Sequence, residues 1–310
     1  MWLTSSLCLE LPPTFCLLRS RQTRLSFPSS NSLLPISKRC DFVTWRSISA
    51  SVQKKPYIVC CSQLEVENDL DVEACELVNG SELIIGEGSD RINALLFSAV
   101  KNNNGVGILL LSDIFGLEDS YNRDFAYRVA CNGYNVLVPD LFRGDPWSRE
   151  RSEAMFEEWL ARQEPNRVAK DIAASTKWMV DEFKAAGLSK KLGVIGFCFG
   201  GARLLEVLAR DEKSIFGTGV SYYGSRMDPS TARNVKVPVL LITGSRDPLC
   251  TVDTVNEVNN AIANESKVVI FEGRGHGFVH RPQTSEDDDD AEEAFMIMRN
   301  WLSDQLINEN

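Results

Sequence analysis

The amino-acid sequence predicts an α/β fold, with a mostly parallel central sheet and helices on both faces. Three observations predict it. From residue 106 onward, short apolar runs alternate with longer stretches of helical periodicity. The run VGILLL (106–111) is apolar throughout, as expected of a strand covered on both faces, and VPVLLIT (237–243) reads as a further strand. Several runs end in loops bearing Gly and Asp, and chemistry gathers at such strand ends in sheets of this kind.

Taken in order, residues 62–80 read as a polar lead-in, and 82–87 and 92–97 as two strands around a Gly-Glu-Gly-Ser-Asp turn. Asn102-Asn103-Asn104-Gly105 turns the chain into the 106–111 strand, which ends in Ser112-Asp113-Ile114-Phe115-Gly116. A helix over 121–131 is stopped by Asn132-Gly133. The strand at 134–141 runs into Phe142-Arg143-Gly144-Asp145-Pro146-Trp147, and helical patterns cover 149–162 and 168–186. After the strand at 192–197 comes a helix that reaches Arg210. Further strands are expected over 217–223, 237–243 and 267–271, and helices over 252–263 and 291–307. The four carboxylates at 287–290 precede the last helix, where negative charge favours a helix N-terminus over a metal.

The 310 residues are 44% hydrophobic and 25% charged, without an apolar run long enough to span a bilayer. The first 62 differ, with eight Lys or Arg, two acidic residues and twelve Ser. Such a composition reads as an organelle transit peptide, and Tyr57-Ile58-Val59-Cys60-Cys61-Ser62 resembles a chloroplast processing site. Residues 1–61 are therefore expected to be a disordered chloroplast leader that is removed, and 62–310 a single monomeric domain of the stroma. That domain carries 25 basic against 41 acidic residues, so neither nucleic acid nor a membrane is expected as a partner. Cys75, Cys131, Cys198 and Cys250, the cysteines beyond the leader, form no C-x-x-C, which argues against a zinc site or disulfide framework.

The chemistry centres on LGVIGFCFGGARLL (192–205): strand, Gly196-Phe197-Cys198-Phe199-Gly200-Gly201, helix. This is the nucleophile-elbow pattern G-x-S-x-G with cysteine in place of serine. Glycines flank such a nucleophile because strand and helix must pass closely. The helix N-terminus then favours a thiolate and offers backbone N–H groups to an oxyanion. A thiol nucleophile needs a base, and the chain holds two histidines, His276 and His280. His276 lies in the glycine-rich loop after the last strand, and Asp247 follows the preceding one. The order Cys198, Asp247, His276 is that of an α/β-hydrolase.

GFCFGG, TGSRDP, GRGHGFVHR, SDIFGL and VPDLFRGDPW together resemble the dienelactone hydrolase (carboxymethylenebutenolidase) family. The resemblance covers residues 82–305. It implies a cofactor-free and metal-free hydrolase acting on a small lactone or ester, with Cys198 as nucleophile, His276 as base and Asp247 orienting it. It further implies an oxyanion hole from the N–H groups of Ile114 and Phe199, and a thioester acyl-enzyme. Asp113 stands where the family carries an auxiliary acid that takes the thiol proton, often as a glutamate one methylene longer. Family arginines bind a substrate carboxylate, and Arg143, Arg149 and Arg151 follow the VPDL strand. Phe115, Trp147, Trp159, Tyr222 and Phe278 are candidate cavity aromatics, with core packing the role expected of most of them. His280 and Arg281 read equally well as border residues or as surface polarity.

Two other readings stay open at this level. The scaffold can serve a ligand-binding or signalling protein with little turnover. Alternatively, Cys198 is oxidised and resolved by Cys250.

Overall fold

The computed structural model describes residues 55–58, 78–188 and 190–308, all within one compact unit, Ser47–Asn310. Nine strands form one sheet among these residues: β1 (Lys55–Ile58), β2 (Val78–Ile85), β3 (Ile92–Ala99), β4 (Gly107–Leu111), β5 (Asn135–Pro139), β6 (Leu192–Phe197), β7 (Phe216–Tyr222), β8 (Val239–Gly244) and β9 (Ser266–Phe271). Their order across the sheet is β1-β2-β3-β5-β4-β6-β7-β8-β9. Pairing is antiparallel from β1 to β5 and parallel from β5 to β9. Strands β4, β5, β6, β7 and β8 are buried at every residue, which is why their sequences do not alternate.

The helices are α1 (Ser120–Cys131), α2 (Phe156–Ala161), α3 (Pro165–Ala185), α4 (Phe199–Ala209), α5 (Pro229–Ala232), α6 (Val252–Ala261) and α7 (Ser285–Leu306). They cover both faces, as β6 makes clear through its two-residue period. On one side of β6, Phe197 meets α1 through Phe125 at 4.7 Å, and the Cα of Gly193 faces Leu306 of α7. On the other side the Cα of Gly196 faces the first turn of α4.

Beyond shifts of a few residues, such as β2 at Val78–Ile85 against 82–87 and α3 at Pro165–Ala185 against 168–186, three differences from the sequence reading stand out. The 149–162 helix is a one-turn 3-10 segment at Glu153–Met155 followed by the short α2. An aromatic cluster, not helical periodicity, organises that stretch: Trp159 is fully buried against Phe142, Trp147 and Phe156. Helix α7 begins at Ser285 rather than 291, so the 287–290 carboxylates lie inside it. Thr284 caps it by accepting from Asp287 N, and Glu286, Asp287 and Asp288 face the positive end of the helix dipole. Finally, Lys55–Ile58, within the stretch expected to be a disordered leader, forms edge strand β1 against β2. The processing site expected near Cys60-Cys61 lies outside the described residues.

Candidate active site

Strand β6 ends at Phe197 and α4 begins at Phe199, so Cys198 alone makes the turn. Its backbone sits at φ 51° and ψ −111°, a strain of roughly 1–3 kcal/mol that persists only where the surroundings hold it. They do so through three bonds: Cys198 N donates to Tyr222 O at 3.0 Å, and Ser225 N and Ala202 N donate to Cys198 O at 3.0 and 3.3 Å. A Cβ on Gly196 would lie 2.4 Å from Gly200 O, and one on Gly200 would lie 2.1 Å from Leu111 O. Both contacts are with backbone, so neither glycine has a substitute.

The loops after β8 and β9 bring the other two groups. Asp247 is buried, and its Oδ1 accepts from Leu249 N at 2.8 Å and Cys250 N at 3.0 Å. That grip aims Oδ2 at His276 Nδ1, 2.7 Å away. His276 Nε2 is buried with no hydrogen-bond partner, while the Cys198 thiol lies 3.7 Å from Ser225 Oγ. Burial pushes the imidazole pKa down, but the Asp247 hydrogen bond and then the Cys198 side chain outweigh it and raise it to about 10. The ring is a strong acceptor for the thiol proton.

Cys198 and His276 open into a cavity of about 560 Å³ that is also lined by Ile114 and Phe199. As the first residue of α4, Phe199 has an N–H with no intrahelical acceptor, and the helix dipole adds positive potential there. Phe156 and Leu160 of α2 and Leu249 give the outer wall its apolar character. Cys198, His276 and Asp247 thus meet two candidate oxyanion donors at the carboxyl ends of β4, β6, β8 and β9.

The model of the dienelactone hydrolase family matches residues 92–306. This chain belongs to the dienelactone hydrolase family. It is 30% identical over 207 residues to a human carboxymethylenebutenolidase homolog, covering 64% of this chain and 82% of that protein. Among solved structures, a dienelactone hydrolase from Anabaena variabilis superposes with a TM-score of 0.58 at 19% identity, covering 74% of this chain and 99% of that one. A cold-adapted esterase from an Arctic intertidal metagenomic library gives a TM-score of 0.60 at 15% identity, covering 78% and 98%. Family membership makes the protein a carboxylic ester hydrolase.

In this hydrolase the wider set of expected site residues divides. Phe115 lines the cavity. Arg143 does not: it pairs with Asp171 at 2.6 Å and 2.9 Å and donates to Ser89 O at 2.7 Å. Arg151 is held by Asp145, and Arg149 lies over the Phe115 ring at 5.1 Å. Trp147 and Trp159 pack in the aromatic cluster under α2. Tyr222 is fully buried and donates to Ala294 O at 3.2 Å, while Phe278 packs on Phe271 and Tyr223. For Arg143 and Arg151 this corrects the sequence reading, because ion pairs to Asp171 and Asp145 hold them, whereas the four packed aromatics take the core role expected of most of that set.

Asp113 is also differently employed. It lines the cavity, but its carboxylate accepts from Asn122 Nδ2 at 2.8 Å, His280 Nε2 at 2.9 Å, and Arg281 Nε and Nη2 at 2.9 and 2.7 Å. Burial would raise its pKa, yet the His280 hydrogen bond, the Arg281 charge and Asn122 hold it well below the usual carboxylate range. Such a group is a poor acceptor for a thiol proton. His280 and Arg281 are correspondingly buried, not surface polar groups.

Sequence reasoning missed Ser225, Arg203 and Tyr223. Ser225 and Arg203 line the cavity, and the Tyr223 ring lies edge-on to His276 at 5.0 Å. The YYGS stretch after β7 was the available signal for Ser225 and Tyr223. Cys250 is 1% exposed, and burial pushes its thiol pKa up to about 12. It stays protonated, which leaves a resolving role without its thiolate. Among the described residues, no cluster of His, Cys, Asp or Glu is arranged to hold a metal ion.

Proposed function

We propose that the protein hydrolyses a lactone or small carboxylic ester through a Cys198–His276–Asp247 triad and a thioester acyl-enzyme. The observation that carries this reading is the His276 ring: Nδ1 is fixed on Asp247 at 2.7 Å, and Nε2 is left buried and unpaired beside the elbow cysteine. His276 takes the thiol proton, and the Cys198 sulfur attacks the carbonyl carbon. The tetrahedral oxyanion is met by the Ile114 and Phe199 N–H groups, a contribution of about 10²–10³ in rate per donor. Collapse breaks the carbonyl–oxygen ester bond, and the imidazolium returns its proton to the departing oxygen. Water, deprotonated by His276, then cleaves the thioester and regenerates the thiol. A lactone whose leaving group is an enolate suits this site, because it needs little protonation on departure.

The Ser- and Arg-rich N-terminal composition supports a stromal location, which organelle import of a tagged full-length chain tests directly. The enzymatic proposal is tested by steady-state hydrolysis of a dienelactone and of a short-chain 4-nitrophenyl ester, with Cys198→Ala and His276→Ala as controls. Turnover lost in both variants, with a trapped Cys198 thioester by mass spectrometry, is the expected result. A folded wild-type protein that turns over neither substrate refutes it in favour of a binding role.

A further inference from the structure

Three arginines line the active cavity among the described residues: Arg203, Arg226 and Arg281. Each already has a carboxylate. Arg226 Nη2 is 2.6 Å from Glu157, and Arg203 Nη1 is 2.9 Å from Glu206. The Nε of Arg203 has no acceptor, but it is buried out of solvent reach.

Arg281 is the most fully occupied. Its Nε and Nη2 donate to Asp113 Oδ2 at 2.9 and 2.7 Å, and Nη2 and Nη1 donate to Asp119 at 2.7 and 3.2 Å. The rings of Phe115 and Tyr121 lie against the guanidinium at 4.5 and 4.8 Å from their centroids. Two carboxylates face one cation, so this wall of the cavity carries a net negative charge. Asp113 is itself locked: Asn122 and His280 donate to it, and His280 Nδ1 is held in turn by the Tyr223 hydroxyl at 2.5 Å. An incoming carboxylate would have to displace one of two charge-assisted partners and would meet the remaining negative charge.

We infer that the cavity selects uncharged esters and lactones, and that Asp119 sets this selectivity by cancelling, together with Asp113, the charge of Arg281. Asp119 is a specificity-determining residue; it takes the Nη1–Nη2 edge of Arg281, next to the Nε–Nη2 edge that Asp113 takes, and has no part in bond breaking. The inference rests on ester hydrolysis at Cys198.

Two esters of equal chain length test it, 4-nitrophenyl hexanoate and mono-4-nitrophenyl adipate, which differ by a terminal carboxylate. The full-length wild-type protein is expected to favour the hexanoate in kcat/KM by about tenfold or more. Asp119→Asn keeps the side-chain oxygen that caps α1 through Tyr121 N at 3.1 Å and removes the charge. It is expected to move the adipate-to-hexanoate ratio about tenfold toward the adipate, chiefly through KM, equivalent to about 1.4 kcal/mol. Adding Arg281→Met to Asp119→Asn reverses that gain. Asp119→Ser, which also caps a helix, gives the same comparison if the Asn variant does not fold. A wild-type preference for the adipate ester, or a folded Asp119→Asn protein with an unchanged ratio, overturns the inference while leaving the hydrolase reading intact. Failure to turn over either ester overturns both.

Discussion

Replacing Gly200 with Ala probes how the elbow and the oxyanion site are built into one backbone contact. A Cβ at this position would lie 2.1 Å from Leu111 O, 2.5 Å from Leu111 C and 2.7 Å from Ser112 O. Ordinary contact between such atoms needs more than 3 Å, so the start of α4 and the end of β4 would have to separate by roughly 1 Å. Neither side yields easily, because β4 is buried at every residue and α4 packs against β6 and β7. Overpacking of this kind costs about 1–3 kcal/mol of stability. The catalytic cost is larger. Ser112 leads directly into Asp113-Ile114, while Gly200 follows Phe199, so parting the two segments moves the candidate oxyanion donors away from each other. A misplacement of about 1 Å can cost about 10²-fold in rate. Gly200→Ala is therefore expected to lose about 10²-fold or more in kcat, beyond what its lowered Tm explains. The assay is ester hydrolysis well below the variant's Tm, with circular dichroism confirming the fold. A folded variant with wild-type kcat would falsify the placement of the two donors.

Other consequences are direct. Asp247→Asn removes the group that holds Nδ1 of His276, so the imidazole pKa falls from about 10 and kcat/KM drops by about 10³-fold or more; pH-dependent alkylation of Cys198 reports the pKa change. Asp113→Asn leaves Arg281 with Asp119 alone and is expected to cost about 3 kcal/mol near neutral pH, read from urea unfolding. Because the folded pKa of Asp113 lies below its unfolded value, this stabilisation is complete above pH ~4 and is lost as the pH falls further; a wild-type advantage that grows on acidification contradicts the assignment. Native Cys250, buried and protonated, is expected to resist iodoacetamide at pH 8 while Cys198 reacts; equal labelling of both before unfolding refutes the burial argument.

Much of the fold was legible because its signals are local. A strand buried on both faces reads as a near-continuous apolar run, and residues 106–111 show this. Gly196 was legible for a similar reason, since the backbone that forbids its Cβ is that of Gly200 and Gly201, whereas Gly200 is confined by Leu111 and Ser112 and Gly201 by Ser221 and Gly224. Less legible was the stretch after β5. Its spacing mimics a long helix, but the aromatic side chains gather around the buried Trp159, whose Nε1 donates to Asp145 O at 2.9 Å. Only a short α2 remains.

The sequence by itself determined the sheet, the elbow and the chain order of Cys198, Asp247 and His276, because each is set by residues within a few positions of a strand end. Tertiary structure decided which side chains face the cavity. At the end of β7, one step along the chain separates Tyr222, turned to Ala294, from Tyr223, beside His276. Arg143 is drawn to Asp171 of α3, and Arg281 meets Asp113 across 168 positions of sequence. A charged group takes whichever partners folding brings within reach, since leaving it buried and unpaired costs more than any local preference can offset. The identity of those partners is a property of the packed sheet ends, and no run of adjacent residues records it.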